Sequence, residues 1–178
     1  PSTGPESIES MYDEYLAVPG VLSEIIKGDR EEHADAFIIA CFGDPGLLAA
    51  KEVTEKPVIG IAQAAFTVAK MIAPNFSVVY VLDRSEQVVR ESLHLHGVEQ
   101  FCKSCRSTGL GVLDFDKDPE TGLRALAEQG RKCVEGDGAE CVVLGCAGFV
   151  QFVDALNQKL GVPVIDGVSP AVKFCEAL

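Results

Sequence analysis

Residues 35–65 read DAFIIACFGDPGLLAAKEVTEKPVIGIAQAA, and residues 139–171 read AECVVLGCAGFVQFVDALNQKLGVPVIDGVSPA. Laid over one another, the two stretches share one order. A short apolar run ends in a cysteine, a glycine follows two residues later, a helical segment comes next, and Pro-Val-Ile closes the unit. Cys41 falls on Cys146 and Gly43 on Gly148. Pro57-Val58-Ile59 falls on Pro163-Val164-Ile165 after a one-residue insertion in the intervening helix. The runs DAFIIAC and ECVVLGC are short, β-branched and apolar throughout, the pattern of strands covered on both faces. Two copies so far apart do not make a solenoid. They predict an α/β fold of two pseudo-symmetric lobes, each a parallel sheet flanked by helices. In open parallel sheets, ligands gather beyond the carboxyl ends of the strands. Both cysteines stand at such ends, so a cleft between the lobes would carry one thiol on each wall.

Working outward, PESIESMYDEYLAVPG reads as a helix with Ile8, Met11, Tyr12 and Tyr15 on its apolar face and Pro5 in its first turn. Pro19-Gly20 is expected to kink or break it, and Gly28 to end its continuation. Asp44 is placed to cap the helix after Cys41, with Pro45 at the first helical position. AAFTVAKMIAP reads as a helix, FSVVYVL as a strand, and SEQVVRESLHLHG as a helix capped by Ser85 and ended by Gly97. FCKSCRST is a strand, GLGVLDFDKDPETG largely loop, and PETGLRALAEQGRKCVEGDG and SPAVKFCEAL are helices. The first lobe is assigned to residues 1–65 plus 166–178 and the second to 66–165.

Composition narrows the function. The 178 residues carry a net charge of -12, which repels phosphate backbones and argues against a nucleic-acid partner. No apolar run approaches the roughly 20 residues of a membrane helix. Seven cysteines, an odd number spread through apolar segments, favour reduced thiols and a cytoplasmic location over a disulfide framework. The opening PSTGPESIES has no signal-peptide pattern and no initiator Met, which leaves room for residues ahead of Pro1.

Two thiols facing one carbon suggest a specific chemistry. Inverting a carbon acid takes one group to remove a proton and another to return it on the opposite face. A thiolate and a thiol can divide that work. A helix N-terminus lowers a thiol's pKa, and the backbone amides of Phe42, Gly43, Ala147 and Gly148 are candidates to hold an enolate oxygen. The plain alternative is two core thiols, since free cysteine is among the most buried residue types. The matched placement favours the paired reading.

The segments GPESIES, ACFGDPGL, KPVIGIAQAA, FSVV, VVLGCAGF and GVPVIDGV resemble those of the aspartate/glutamate racemase superfamily, most closely its hydantoin and allantoin racemase branch. The resemblance implies a cofactor-independent, two-cysteine isomerase acting on a small-molecule substrate, with the site between two lobes and a homo-oligomeric assembly. Cys41 and Cys146 match its catalytic cysteines. Ser7, and the backbone after each cysteine (Phe42, Gly43 and Asp44; Ala147 and Gly148), match parts of its substrate pocket. Amino-acid racemases of the superfamily place Asn and Thr after the first cysteine and Thr after the second. This chain has Phe42-Gly43-Asp44 and Ala147-Gly148, which suits a neutral ring such as a 5-substituted hydantoin. Arylmalonate decarboxylases resemble the group but keep one of the two cysteines. Allantoin or amino-acid racemisation, or a catalytically silent ligand-binding relative, are the alternatives. Gln63 stands where Glu is common, and Tyr80-Val81 where Thr-Thr is common. The family's usual opening of about 40 residues, a span of domain-anatomy size, does not precede GPESIES, so the first lobe is expected to be incomplete at its N-terminus.

HLHGVEQFCKSC offers His94, His96, Cys102 and Cys105 as metal ligands. His-x-His does not converge on a helix, and in a regular strand Cys102 and Cys105 face opposite sides. No metal is expected and a structural role is read; a redox Cys-x-x-Cys would open a helix, which this one does not, and thiol redox or zinc binding through Cys102 and Cys105 stands as the further alternative. Cys133, Cys141 and Cys175 read as core residues. Asp166 suits either a turn before Gly167 or the cleft. The acids of SIESMYDEYL read as a solvated helix face. GLGVLDF lacks the strand and helix context of a dinucleotide site.

Overall fold

The structure, a computed structural model, describes residues 4–178. Two parallel sheets form its frame. The first pairs β1 (Phe37–Ile39) with β2 (Val58–Gly60). The second runs in the order β4-β3-β5-β6, with β3 (Phe76–Tyr80), β4 (Cys102–Ser107), β5 (Val142–Leu144) and β6 (Val164–Ile165). The helices are α1 (Met11–Arg30), α2 (Leu47–Val53), α3 (Ile61–Ile72), α4 (Glu86–Leu95), α5 (Asp114–Lys117), α6 (Pro119–Arg131), α7 (Val153–Leu160) and α8 (Val168–Ala177). The helices flank both sheets, giving the expected two-lobed α/β architecture. Among the described residues, no helix is long and apolar enough to cross a membrane.

The repeat is visible in single hydrogen bonds. Phe37 N–H donates to Pro57 O at 2.8 Å, and its counterpart Val142 N–H donates to Pro163 O at 2.9 Å. Each Pro-Val-Ile strand is thereby placed in parallel register beside the strand that ends at its cysteine. The last helices of the two copies, α3 and α8, pack on each other. Between them and β3 lies a core of Ile61, Phe66, Phe76, Val78, Val143 and Ala171. On the opposite face of the second sheet, Val79, Val142 and Leu144 pack with Phe115, Phe149, Phe152 and Leu156.

Several local expectations are corrected. Helix α1 starts at Met11 rather than near Pro5. Ser10 is its cap, with Oγ accepting from Asp13 N–H at 3.2 Å and donating to Asp13 Oδ2 at 2.8 Å. That reciprocal pair fixes the start of the helix and leaves residues before it to cross toward the second sheet. Pro19 does not break α1, because it lies on the exposed side, where the carbonyl it leaves unpaired meets water. The apolar face is also different: Tyr12 and Tyr15 are exposed, while Ala17, Ile25 and Gly28 are buried. Gly28 does not end the helix. The Phe37 ring fills the place of its side chain, 2.7 Å from where a Cβ would stand.

β5 is buried throughout, as its apolar run predicts, but β1 is only half-buried at Phe37 and Ile38. Ser85 does not cap α4; its hydroxyl donates to Glu9 O at 2.7 Å. Gly97 ends α4 at φ +63°, as expected. Cys102 and Cys105 do not face opposite sides. A bulge in β4 opposite Phe76–Val78 sets Lys103 and Ser104 against Ser77, and the two sulfurs lie 3.8 Å apart on one side.

Candidate active site

A cavity of about 610 Å³ opens where the carboxyl ends of β1, β3 and β5 meet the segment ahead of α1. Cys41 follows β1 and Cys146 follows β5, and both line this cavity. Ser7, Phe42, Gly43, Ala147 and Gly148 line it as well, with Ile8, Tyr80, Val81, Val88, Val89 and Val112 making much of the wall apolar. No Lys, Arg or His stands among its described lining residues, whereas Glu6, Glu9 and Glu24 do.

The two corners repeat at atomic detail. Asp44 N–H donates to Cys41 O at 2.9 Å and Phe149 N–H to Cys146 O at 3.2 Å, closing the same turn. The backbone amide of Gly43 favours the ionised form of Cys41, and that of Gly148 the ionised form of Cys146. Burial above all pushes the Cys41 thiol up to about 12, against the pull of the Gly43 amide and with the charges of Glu14, Cys146 and Asp44 adding to the rise. Burial also raises Cys146, against the pull of the Gly148 amide, with Asp116 and Glu9 adding to the rise. Phe42 is buried, and its ring packs edge-on against Phe66 at 5.4 Å, so it offers the cavity chiefly backbone. Gly148 faces open space: the nearest atom to a Cβ there would be Cys146 Sγ at 3.9 Å.

Asp44 lies behind the cavity wall rather than on it. It caps a helix, but α3 rather than α2. Its Oδ1 accepts from Ala62 N–H at 3.0 Å and its Oδ2 from Gln63 N–H at 2.8 Å, and His96 Nε2 sits 3.0 Å from Oδ2. This carboxylate is the reason for Gly60, since a Cβ there would fall 2.2 Å from Asp44 Cγ. Asp166 performs the matching task on its own helix, with Oδ1 accepting from Ser169 N–H at 2.7 Å at the start of α8.

His96 is therefore engaged by Asp44, and His94 by Glu99 at 2.9 Å. Among the described residues, no three His, Cys, Asp or Glu side chains converge as metal ligands. Cys133 and Cys141 are fully buried; Cys175 is half-buried against the core.

Two acids expected on a solvated face are instead built into the site. Glu9 Oε1 accepts from Val112 N–H at 2.9 Å, its other oxygen pairs with Arg84, and its backbone N–H donates to Asp13 Oδ2. It ties the segment ahead of α1 to the second lobe beside the cavity. The Glu14 carboxyl rests on Gly43, where a Cβ would come 2.4 Å from Oε2. That oxygen is buried without a hydrogen-bond partner, and burial, then Asp44 and Glu91, push the group up to about 7. The spacing held a signal for Glu14: it extends the buried stripe Ala17, Val21, Ile25, Gly28 back by one turn. Glu9, ahead of the helix, had none.

The profile of the Asp/Glu/Hydantoin racemase family matches residues 1–175. A hydantoin racemase of Pseudomonas sp. (strain NS671) is 52% identical over 178 residues, covering 100% of this chain and 71% of the relative. One from Rhizobium meliloti is 46% identical and is covered over 73% of its length. The solved structure of an allantoin racemase from Klebsiella pneumoniae superposes with a TM-score of 0.96 at 42% identity, over 100% of this chain and 72% of that one. With matched thiol corners at one cavity and likeness along its whole length, the chain belongs to the Asp/Glu/Hydantoin racemase family.

Proposed function

We propose that this protein is a cofactor-independent racemase that inverts C5 of 5-substituted hydantoins, with Cys41 and Cys146 exchanging the roles of base and acid. The observation that carries this reading is the pair of thiols on one cavity, each at a Cys-x-Gly corner closed by the same backbone turn. One thiolate removes the C5 proton from one face, and the electron pair moves onto the adjacent carbonyl oxygen as an enolate. The Phe42 and Ala147 amides are the backbone donors available to that oxygen. The opposite thiol then delivers its proton to the other face. Each turnover leaves the base protonated and the acid ionised, ready for the substrate of opposite hand.

The cavity's charge supports a neutral substrate. An amino acid's α-carboxylate would find no cationic side chain on the described lining and three glutamates instead. A hydantoin ring asks only for hydrogen-bond partners. The apolar wall of Ile8, Val81, Val88 and Val112 suits a hydrocarbon C5 substituent. Allantoin, a hydantoin with a polar ureido group, is the second reading, favoured by the likeness to the Klebsiella pneumoniae structure. The lobe division at 1–65 with 166–178 and 66–165 belongs to the same proposal, supported by the packing of α8 on β1 and β2.

Racemisation of one enantiomer of a 5-alkylhydantoin in D2O tests the mechanism. Deuterium enters C5 as optical rotation decays, and Cys41→Ser and Cys146→Ser each stop inversion. A variant that still racemises at the normal rate overturns the two-base assignment.

A further inference from the structure

β4 is the edge strand of the second sheet, and it carries a second pair of thiols away from the cavity. A regular strand would send residues three apart to opposite faces. The bulge opposite Phe76–Val78 changes the parity, so Cys102 and Cys105 come to one side with their sulfurs 3.8 Å apart. Both are half-buried, packed at the margin of the core.

We propose that Cys102 and Cys105 form a non-catalytic modification site at which a small-molecule disulfide is reduced and an internal disulfide forms. The two thiols divide the work unequally. Cys105 shares a hydrogen bond with Cys102 in which either sulfur can donate, and it lies near the Arg90 guanidinium; the two together hold its pKa below the ordinary thiol value. Cys102, sharing that bond and partly desolvated, is pushed up and held protonated. Cys105 is thus the attacking thiolate and Cys102 the resolving thiol.

In the first step the Cys105 thiolate attacks one sulfur of the small disulfide. A mixed disulfide forms and one small thiolate leaves. Cys102 then gives its proton to solvent, and its thiolate attacks the Cys105 sulfur. The internal bond forms as the second small thiolate departs. Two protein thiols are oxidised and one small disulfide is reduced to two thiols. The approach required is less than 2 Å, since bonded sulfurs lie about 2.05 Å apart. The thiols at the cavity are held protonated by burial and react later.

The test treats the full chain with oxidised glutathione, quenches with an alkylating agent, and maps tryptic peptides by mass. Cleavage after Lys103 parts the two cysteines, so only an internal disulfide keeps their peptides joined. The wild-type chain is expected to yield that joined pair while Cys41 and Cys146 are still alkylated. Cys102→Ser is expected to stop at a glutathione adduct on Cys105, and Cys105→Ser to give neither bond nor adduct over the same time. First oxidation at Cys41 or Cys146, identical behaviour of the two serine variants, or no reaction of the pair in the folded wild-type chain would overturn the proposal. Racemase activity plays no part in the readout, so failure of the two-base mechanism would leave this result standing.

Discussion

At the first corner, residues 41–44 read Cys-Phe-Gly-Asp; at the second, residues 146–149 read Cys-Ala-Gly-Phe. The turn and the pull of a glycine amide on the thiol are shared, but the fourth residue sends each corner into different surroundings. Asp44 turns toward the start of α3 and His96, with Glu14 close behind on Gly43. Phe149 turns into an aromatic cluster, 4.5 Å from the Phe115 ring and buried to 1%. The duplicated backbone fixes where each sulfur stands, while the unmatched support behind it sets how readily that sulfur ionises. Two thiols in mirrored positions thus stand beside different acids, Glu14 and Asp44 weighing on Cys41 and Asp116 and Glu9 on Cys146.

The largest effect sought is on catalysis. Replacing either cysteine by serine is expected to lower inversion by roughly a thousandfold, within the range for loss of a positioned acid or base. The two variants are expected to differ in isotope exchange. If each thiol serves one face, Cys41→Ser and Cys146→Ser wash solvent deuterium into opposite enantiomers without inverting them. Exchange of the same enantiomer by both variants would break the comparison. Because burial raises both thiols, racemisation by the wild type is expected to climb as pH rises above 8, where more of the thiolate forms. A plateau reached near pH 7 would contradict that.

Stability comes next, measured by urea unfolding. Phe149→Ala removes a fully buried ring and is expected to cost about 3–5 kcal/mol. Asp44→Ala leaves Ala62 N–H, Gln63 N–H and His96 without their acceptor, an expected loss of about 3 kcal/mol. Asp44→Asn keeps one acceptor oxygen and should lose less than the alanine variant. The glycines sharpen the contrast further. Gly43→Ala drives a Cβ into the Glu14 carboxyl and is expected to cost about 1–3 kcal/mol. Gly148→Ala meets open space and is expected to stay within about 0.5 kcal/mol, while narrowing the cavity and raising KM.

The same contrast explains what could be read in advance. Apolar runs, Cys-x-Gly corners and Pro-Val-Ile strands follow from chain-local patterns, and the order Cys41…Pro57 against Cys146…Pro163 was enough to anticipate two lobes with thiols at strand ends. Asp44 was legible as a helix cap, because a short acid before a helical run signals one. Which helix it caps depends on a contact 18 residues away that no local pattern encodes. The 3.8 Å approach of Cys102 to Cys105 depends on a bulge, which appears only when β4 is laid against β3. Pro19 misled because its effect depends on which side of α1 faces water.

The last effect is electrostatic and belongs to Glu14. Its folded pKa, about 7, lies above the ordinary carboxylate value. Such a group favours its protonated form in the folded state, so its contribution to stability is present below the unfolded pKa and is lost as pH rises through about 7. Wild-type stability is therefore expected to slope downward between roughly pH 4.5 and 7, the interval separating the two values. Glu14→Gln, uncharged throughout, should flatten that slope. The same variant removes a negative charge that opposes ionisation of Cys41, so alkylation of Cys41 should begin at lower pH. Glu14 does not figure among the groups acting on Cys146, whose alkylation profile should stay in place. Equal shifts at both cysteines would mean that Glu14 acts on the cavity as a whole. The inequality of the corners would then need another source, and Asp44 is the remaining acid beside Cys41.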